Sequence, residues 1–287
     1  MKRSARLVAA FAVSAALLTT AGCDKLRARD QLNQGVQSYR AANYEEAMEH
    51  FKNAVRYDPN LKVAKLYLAT AYAQQYVPGV DTPENLRNAQ QAIAEYNDVL
   101  KNEPKDSNSL LGIAYLYMNM KQFDKAREYY RKAIDADPNN PDAYYSVGVI
   151  DWTDVYKDIS ERKAKLGLKV EDPLKGKQGD QVCQEIKTKD ASIIEEGLQM
   201  LQTAMQKRED YDNAMVYVNL LYLRKADTEC NNPEAAAADR KESNDWADKA
   251  MAARKKKAAA AAKKGAGGIV LEQQNQPQEQ SPQKKKK

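Results

Sequence analysis

Small and aromatic residues recur along this chain at one set of intervals, used twice. Gly35, Tyr44, Ala47, Phe51, Ala54 and Pro59 are separated by 9, 3, 4, 3 and 5 residues, and Ala114, Phe123, Ala126, Tyr130, Ala133 and Pro138 repeat those steps. Steps of three and four put Ala47, Phe51 and Ala54 on one helix face, and likewise Ala126, Tyr130 and Ala133. Asp58-Pro59 and Asp137-Pro138 end those helices. Gly35 and Ala114 fall on a preceding helix in each case. Two helices cross closely only where side chains are small, and an aromatic ring fills the space beside the crossing. The pattern predicts helix pairs stacked in series, because no single pair can bury its own apolar face.

The stretches "NQGVQSYRAANYEEAMEHFKNAVRYDPN" and "GIAYLYMNMKQFDKAREYYRKAIDADPNN" resemble the tetratricopeptide repeat, a helix–turn–helix unit of about 34 residues. The resemblance implies an all-α fold, a right-handed superhelical solenoid of about five units over residues 28–257. Three copies depart from the pattern. Ala69 and Ala92 are 23 residues apart where the regular copies have 12, so extra residues fall in the second unit's turn, around "QYVPGVDTPEN". Gly148 and Gly197 are 49 apart, which places a larger insert in the fourth unit at about 153–190. Tyr156 to Leu166 is charged and helix-prone, so the fourth unit's first helix can run on past the solenoid. "KVEDPLKGKQGD", with Pro173, Gly176 and Gly179, reads as loop, and Asp190 as the N-cap of the next helix. The fifth pair is weaker, with Asn219 at the usual small-residue place, and is open to an insert of its own.

In arrays of this family the first helix of each unit lines the concave face. By spacing, that implies a groove of Leu32, Val36 and Tyr39; Leu66 and Thr70; Leu111, Tyr115 and Met118; Tyr145, Val149 and Trp152; and Val216, Leu220 and Leu223. The Lys and Asn residues of the family's clamp for C-terminal carboxylates are absent from these places. An apolar groove bearing Tyr, Trp and Met instead suits an extended or helical peptide. Burial of part of this stripe by the superhelix itself, or by the inserts, is the competing reading.

The N-terminus sets the compartment. Lys2, Arg3 and Arg6 precede an uncharged apolar run from Leu7 to Leu18, and small residues follow. This is the layout of a signal peptide, expected over residues 1–22. Ala21-Gly22-Cys23 resembles the lipobox of bacterial lipoproteins, with Thr20 where that family usually has Leu. The resemblance implies cleavage before Cys23, lipidation of that residue and a short linker over 23–27. The protein is then expected to be lipid-anchored in the bacterial cell envelope and to face the periplasm, on either membrane. Plain secretion and an uncleaved anchor are the alternatives.

Three cysteines are present. Cys183 lies in the fourth unit's insert and Cys230 in the turn of the fifth, on the same edge of adjacent units. An oxidising compartment suggests a bridge between them. Were the helix of Gly197 to extend back through Cys183, that residue would stand too far from Cys230, and two separate thiols would remain.

Composition adds a division of charge. From residue 252 onward ten Lys/Arg face two Asp/Glu, so a net charge of +5 hides an acidic body with a basic tail. The tail, 258–287, reads as disordered from Gly265, with Lys255 to Lys264 able to prolong the last helix. It is either solvated or in contact with an anionic lipid or envelope polymer. Nothing here implies nucleic-acid binding.

Catalytic chemistry finds little purchase. His50 is the one histidine, on an exposed-looking stretch, so no Ser–His–Asp set can be assembled. "KGKQGD" lacks the strand and the Lys-Ser/Thr ending of a phosphate loop. No clustered His/Cys set suits zinc, and no cofactor is implied. The expected function is a non-catalytic, membrane-anchored scaffold binding a protein or peptide, in envelope assembly or secretion. The alternative is an envelope enzyme, or an enzyme's regulator, with its activity in the 153–190 insert.

Overall fold

A computed structural model describes residues 23–265 of the 287-residue chain, and the expected signal peptide, residues 1–22, and the end of the basic tail lie outside them. Ten helices and no strand are found among the described residues. They form five antiparallel pairs: α1 (23–40) with α2 (Tyr44–Tyr57), α3 (Lys62–Gln75) with α4 (Pro83–Asn102), α5 (Ser107–Asn119) with α6 (Phe123–Ala136), α7 (Pro141–Lys165) with α8 (Gly176–Lys207), and α9 (Asp212–Ala226) with α10 (Pro233–Gly265). Each helix packs on the next along the chain. First helices also meet each other, α3 with α5 and α7 with α9, so they lie side by side along one face of an all-α solenoid.

Local chemistry explains the boundaries. Thr82, Asp106 and Asn140 accept backbone N–H groups at the starts of α4, α5 and α7, and Pro83 and Pro141 open two of those helices. The tight turns inside the two regular units share one device. Ala42 and Lys121, at equivalent places, adopt left-handed backbone with φ of 61° and 57°. Each aromatic of the repeat is buried beside its small neighbours: Phe51 between Ala47 and Ala54, Tyr130 between Ala126 and Ala133.

The fourth unit departs most from expectation. α7 does run on, to Lys165, but α8 begins at Gly176 and not after the insert. Gly179 and Asp190, expected in a loop and at an N-cap, are therefore inside a helix. The reason is a continuous buried stripe. On α8, Cys183, Ile186, Asp190, Ile194, Gly197 and Leu201 face inward; on α7, Val147, Asp151, Val155, Ile159 and Lys163 repeat every four residues. The two stripes zip the helices into a hairpin that overruns the solenoid, leaving only residues 166–175 as its connection.

Two further boundaries move. Residues 23–27, expected as a linker, are helical, and Ala28 is already buried. The last helix, bounded at 257 by expectation, runs on through Gly265, over the Lys255 to Lys264 stretch read as able to prolong it. The fifth unit's connection spans 227–232, against 41–43 in the first unit. At its small-residue position, Asn219 Nδ2 donates to the Ser243 carbonyl at 2.8 Å and to Ser243 Oγ at 2.7 Å. A polar pair thus replaces the apolar crossing.

Candidate functional site

The face formed by the first helices carries an aromatic ladder where α7 meets α9. Tyr145 packs on Tyr211 and Tyr217 with ring centroids 4.8 and 5.7 Å apart. Trp152 packs edge-on against Tyr217 at 5.3 Å and beside Tyr156 at 5.1 Å. Burial pushes the Tyr145 and Tyr217 phenols upward. Tyr211 donates to Asp142 Oδ1 at 2.7 Å, which pins the start of α9 to the start of α7.

The expected groove residues divide. Leu32, Val36, Tyr39 and Leu66 are half-buried against the first core cluster, and Leu111 and Met118 against another. Thr70 donates to the Leu66 carbonyl at 2.8 Å. Tyr115 is the open one, 57% exposed. Tyr145 and Trp152 are half-buried in the ladder, and Val216, Leu220 and Leu223 are half-buried along α9. Val149 is a correction: only 6% is exposed, so it belongs to the core. α7 packs against α6, α8 and α9 together, which leaves a narrower open strip than the spacing implied. His50 is half-buried, its Nδ1 3.0 Å from Gln31 Oε1.

Cys183 and Cys230 are joined in a disulfide, with Cα atoms 5.6 Å apart. Cys183 lies on α8, the arrangement expected to keep it too far from Cys230. The bond forms because α7 and α8 overrun together, and the turn after α9 rises along them. A buried cluster holds that turn. Lys163 Nζ donates to the Val170 carbonyl at 2.8 Å, the Asp172 carbonyl at 3.0 Å and Asp227 Oδ1 at 2.7 Å. Arg224 Nη1 donates to the Val170 carbonyl at 3.1 Å and lies 3.2 Å from Asp227 Oδ2. Burial lowers the Lys163 pKa, and Asp227 opposes it.

The flank of the hairpin that faces α6 holds a cleft of about 600 Å³, which sequence reasoning missed. Arg127 reaches it from α6, its Nη2 2.6 Å from Asp154 Oδ2 and 3.1 Å from Asp151 Oδ1. Arg131 pairs with Glu196, and Lys189 with Asp158. Asp151 and Asp190 are 0% and 1% exposed. Burial drives the Asp151 carboxyl up to about 7 against the pull of Arg127. Burial, then the neighbouring Asp158, drives Asp190 up to about 7 as well. The signal for these residues was present: both are acids inside an otherwise apolar helical stripe.

Among the described residues, no cluster of His, Cys, Asp and Glu is arranged to hold a metal ion, and no helix is long and apolar enough to cross a membrane.

Residues 86–147 match the tetratricopeptide repeat family. Hsp70-Hsp90 organizing protein 1 of Glycine max is 28% identical over 117 residues, which are 41% of this chain and 18% of that protein. Mitochondrial import receptor subunit TOM70 of Homo sapiens is 30% identical over 107 residues, 37% of this chain and 17% of that protein. The chain thus spans under a fifth of the length of these curated relatives. Among solved structures, MamA (residues 41 to the end) from Desulfovibrio magneticus RS-1 superposes with a TM-score of 0.53 at 16% identity, covering 80% of this chain and 96% of that one. Matched in sequence over residues 86–147 and in fold over most of its length, the chain carries tetratricopeptide repeats within an all-α solenoid.

Proposed function

We propose that this protein is a binding scaffold that receives a protein or peptide along its inner face, and that a lipid at Cys23 holds it in the bacterial cell envelope, facing the periplasm. The observation that carries the binding role is the ladder of Tyr145, Trp152, Tyr156 and Tyr217, set on adjacent first helices with Tyr156 39% exposed. Rigid aromatic side chains give large contact area at low entropic cost, and they anchor many peptide sites. Two relatives support the reading by name, one as an organizer of Hsp70 and Hsp90 and one as an import receptor subunit. The Cys183–Cys230 bond supports the compartment, since disulfides persist where the medium is oxidising. Exposure of Cys23 at the start of α1 leaves its thiol free for acylation.

A photo-crosslinking residue at Tyr115 or Tyr156, in cells, tests the binding role. Adducts are expected at both positions and not at Glu128, an exposed residue on α6. Equal labelling at Glu128, or none at the inner face, would overturn it. Mass spectrometry of the mature N-terminus tests the anchor, which an intact Met1 or an unmodified Cys23 would rule out.

A further inference from the structure

We propose that the cleft between α6, α7 and α8 receives a basic side chain, a lysine ammonium or an arginine guanidinium, carried by a polypeptide partner. This rests on the scaffold reading and narrows the partner to one with a basic segment.

Charge is the first argument. Seven Asp/Glu and four Lys/Arg line the cleft. Three of those four cations are already committed, Arg127 to Asp151 and Asp154, Arg131 to Glu196, and Lys189 to Asp158. An anion entering here would meet Lys157 alone uncommitted among these cations, against surplus carboxylates.

Unfilled bonding capacity is the second and independent argument. Asp151 and Asp190 line the cleft, are almost wholly buried, and each keeps an Oδ2 with no hydrogen-bond partner. Buried polar atoms are rarely left so in native proteins. Once ionised, both lack a donor, and an ammonium brings three and a guanidinium five. Glu161 and Asp154, towards solvent, supply the field that draws a cation inward.

The groups facing Asp190 give the event a signature. Asp158 and Arg162 face it from α7, and Lys189 stands beside it on α8. Burial and the negative charge of Asp158 keep a proton on Asp190 near neutrality. An arriving ammonium takes that proton's place, and the proton leaves to solvent, so binding releases it.

Calorimetric titration of the full chain with hexalysine near neutral pH, in phosphate and in Tris, tests this. Saturable binding with proton release is expected. Glu161→Gln and Asp190→Asn are expected to weaken it by about five-fold each, while Glu128→Gln, which removes an acid paired with Lys132 outside the cleft, leaves it unchanged. Glu161 is exposed, so its variant reports on the cleft free of any folding defect. Equal loss in Glu128→Gln, no loss in the two cleft variants, or no proton release would overturn the site. Spermine binding as tightly as hexalysine would overturn the polypeptide source in favour of free polyamines. Hexalysine binding that survives while the inner-face adducts at Tyr115 and Tyr156 are absent would sink the groove and leave the cleft standing; the reverse would sink the cleft alone.

Discussion

Gly35 on α1 lies so close to Phe51 on α2 that a Cβ at residue 35 would stand 2.5 Å from the ring's Cε1. Phe51 is fully buried, flanked by Ala47 and Ala54, and has nowhere to retreat. Gly35→Ala is therefore expected to destabilise the first unit by about 1–3 kcal/mol through overpacking. A drop in the urea midpoint without a change of slope would show it. The same substitution at Gly79, where nothing lies within 4 Å, meets no neighbour, but its φ of +79° makes it a test of backbone strain instead.

The Cys183–Cys230 bond closes a separation of 47 residues. Its loss, by Cys230→Ser or by reductant, is expected to cost about 2–4 kcal/mol. Hydrogen exchange should locate the effect, with protection falling first in residues 166–175 and 227–232, which Lys163 and Asp227 then hold unaided. Uniform loss of protection over all five units would contradict this.

Asp151 and Asp190 make stability depend on pH. Both are raised from 3.8 to about 7 in the fold, so the folded state binds more protons than the unfolded one between those values. Their contribution is full below the unfolded pKa and is lost as pH rises towards about 7. Asp190→Asn is expected to be more stable than wild type at pH about 8, by on the order of 1 kcal/mol, and to show little difference at pH about 4. Thermal melts across that range check the sign; a wild type that gains stability from pH about 4 to about 7 relative to the variant would refute it.

Arg127 is the ion partner of a carboxylate with 1% of its side chain exposed. Arg127→Met leaves Asp151 buried and unpaired, which is expected to cost about 2–4 kcal/mol at pH about 8. The cost should shrink on acidification, because Asp151 can then take a proton. A pH-independent penalty would mean that packing, not charge, was lost.

Ala42 and Lys121 hold left-handed backbone that L-residues adopt reluctantly. Lys121→Gly is expected to stabilise by about 0.5–1 kcal/mol, the relief of strain exceeding the entropy that glycine adds to the unfolded chain. Chemical denaturation of the single variant checks it.

Where apolar spacing was regular, in α1–α2 and α5–α6, pairing, boundaries and crossing residues were legible, because each small residue and its aromatic have one mechanical task. Legibility failed where polar residues occupy core positions. Asp190 resembled a cap because an acid before an apolar run usually is one; only the Cys183 and Ile186 positions, continuing the stripe at steps of seven and four before it, indicate that α8 starts earlier. Asp151 and Lys163 interrupted the α7 stripe in the same way. The cleft followed from neither motif nor composition, since its charged residues come from three helices and look like a solvated surface on each. Val149 failed for a simpler reason: a spacing rule drawn from regular units takes no account of a first helix packed on three neighbours.

The crosslink between α8 and the turn after α9 has a mechanical consequence. An array of nearest-neighbour units unravels from its ends, because a terminal unit has one interface to lose and an internal one has two. Here one end is stitched: the fifth unit cannot peel from the fourth while Cys183 holds Cys230. The molecule thus has a polarity of melting that the repeats alone would not give it. Opening is expected to start at α1, where Cys23 lies, and the overrunning hairpin to keep its shape longest.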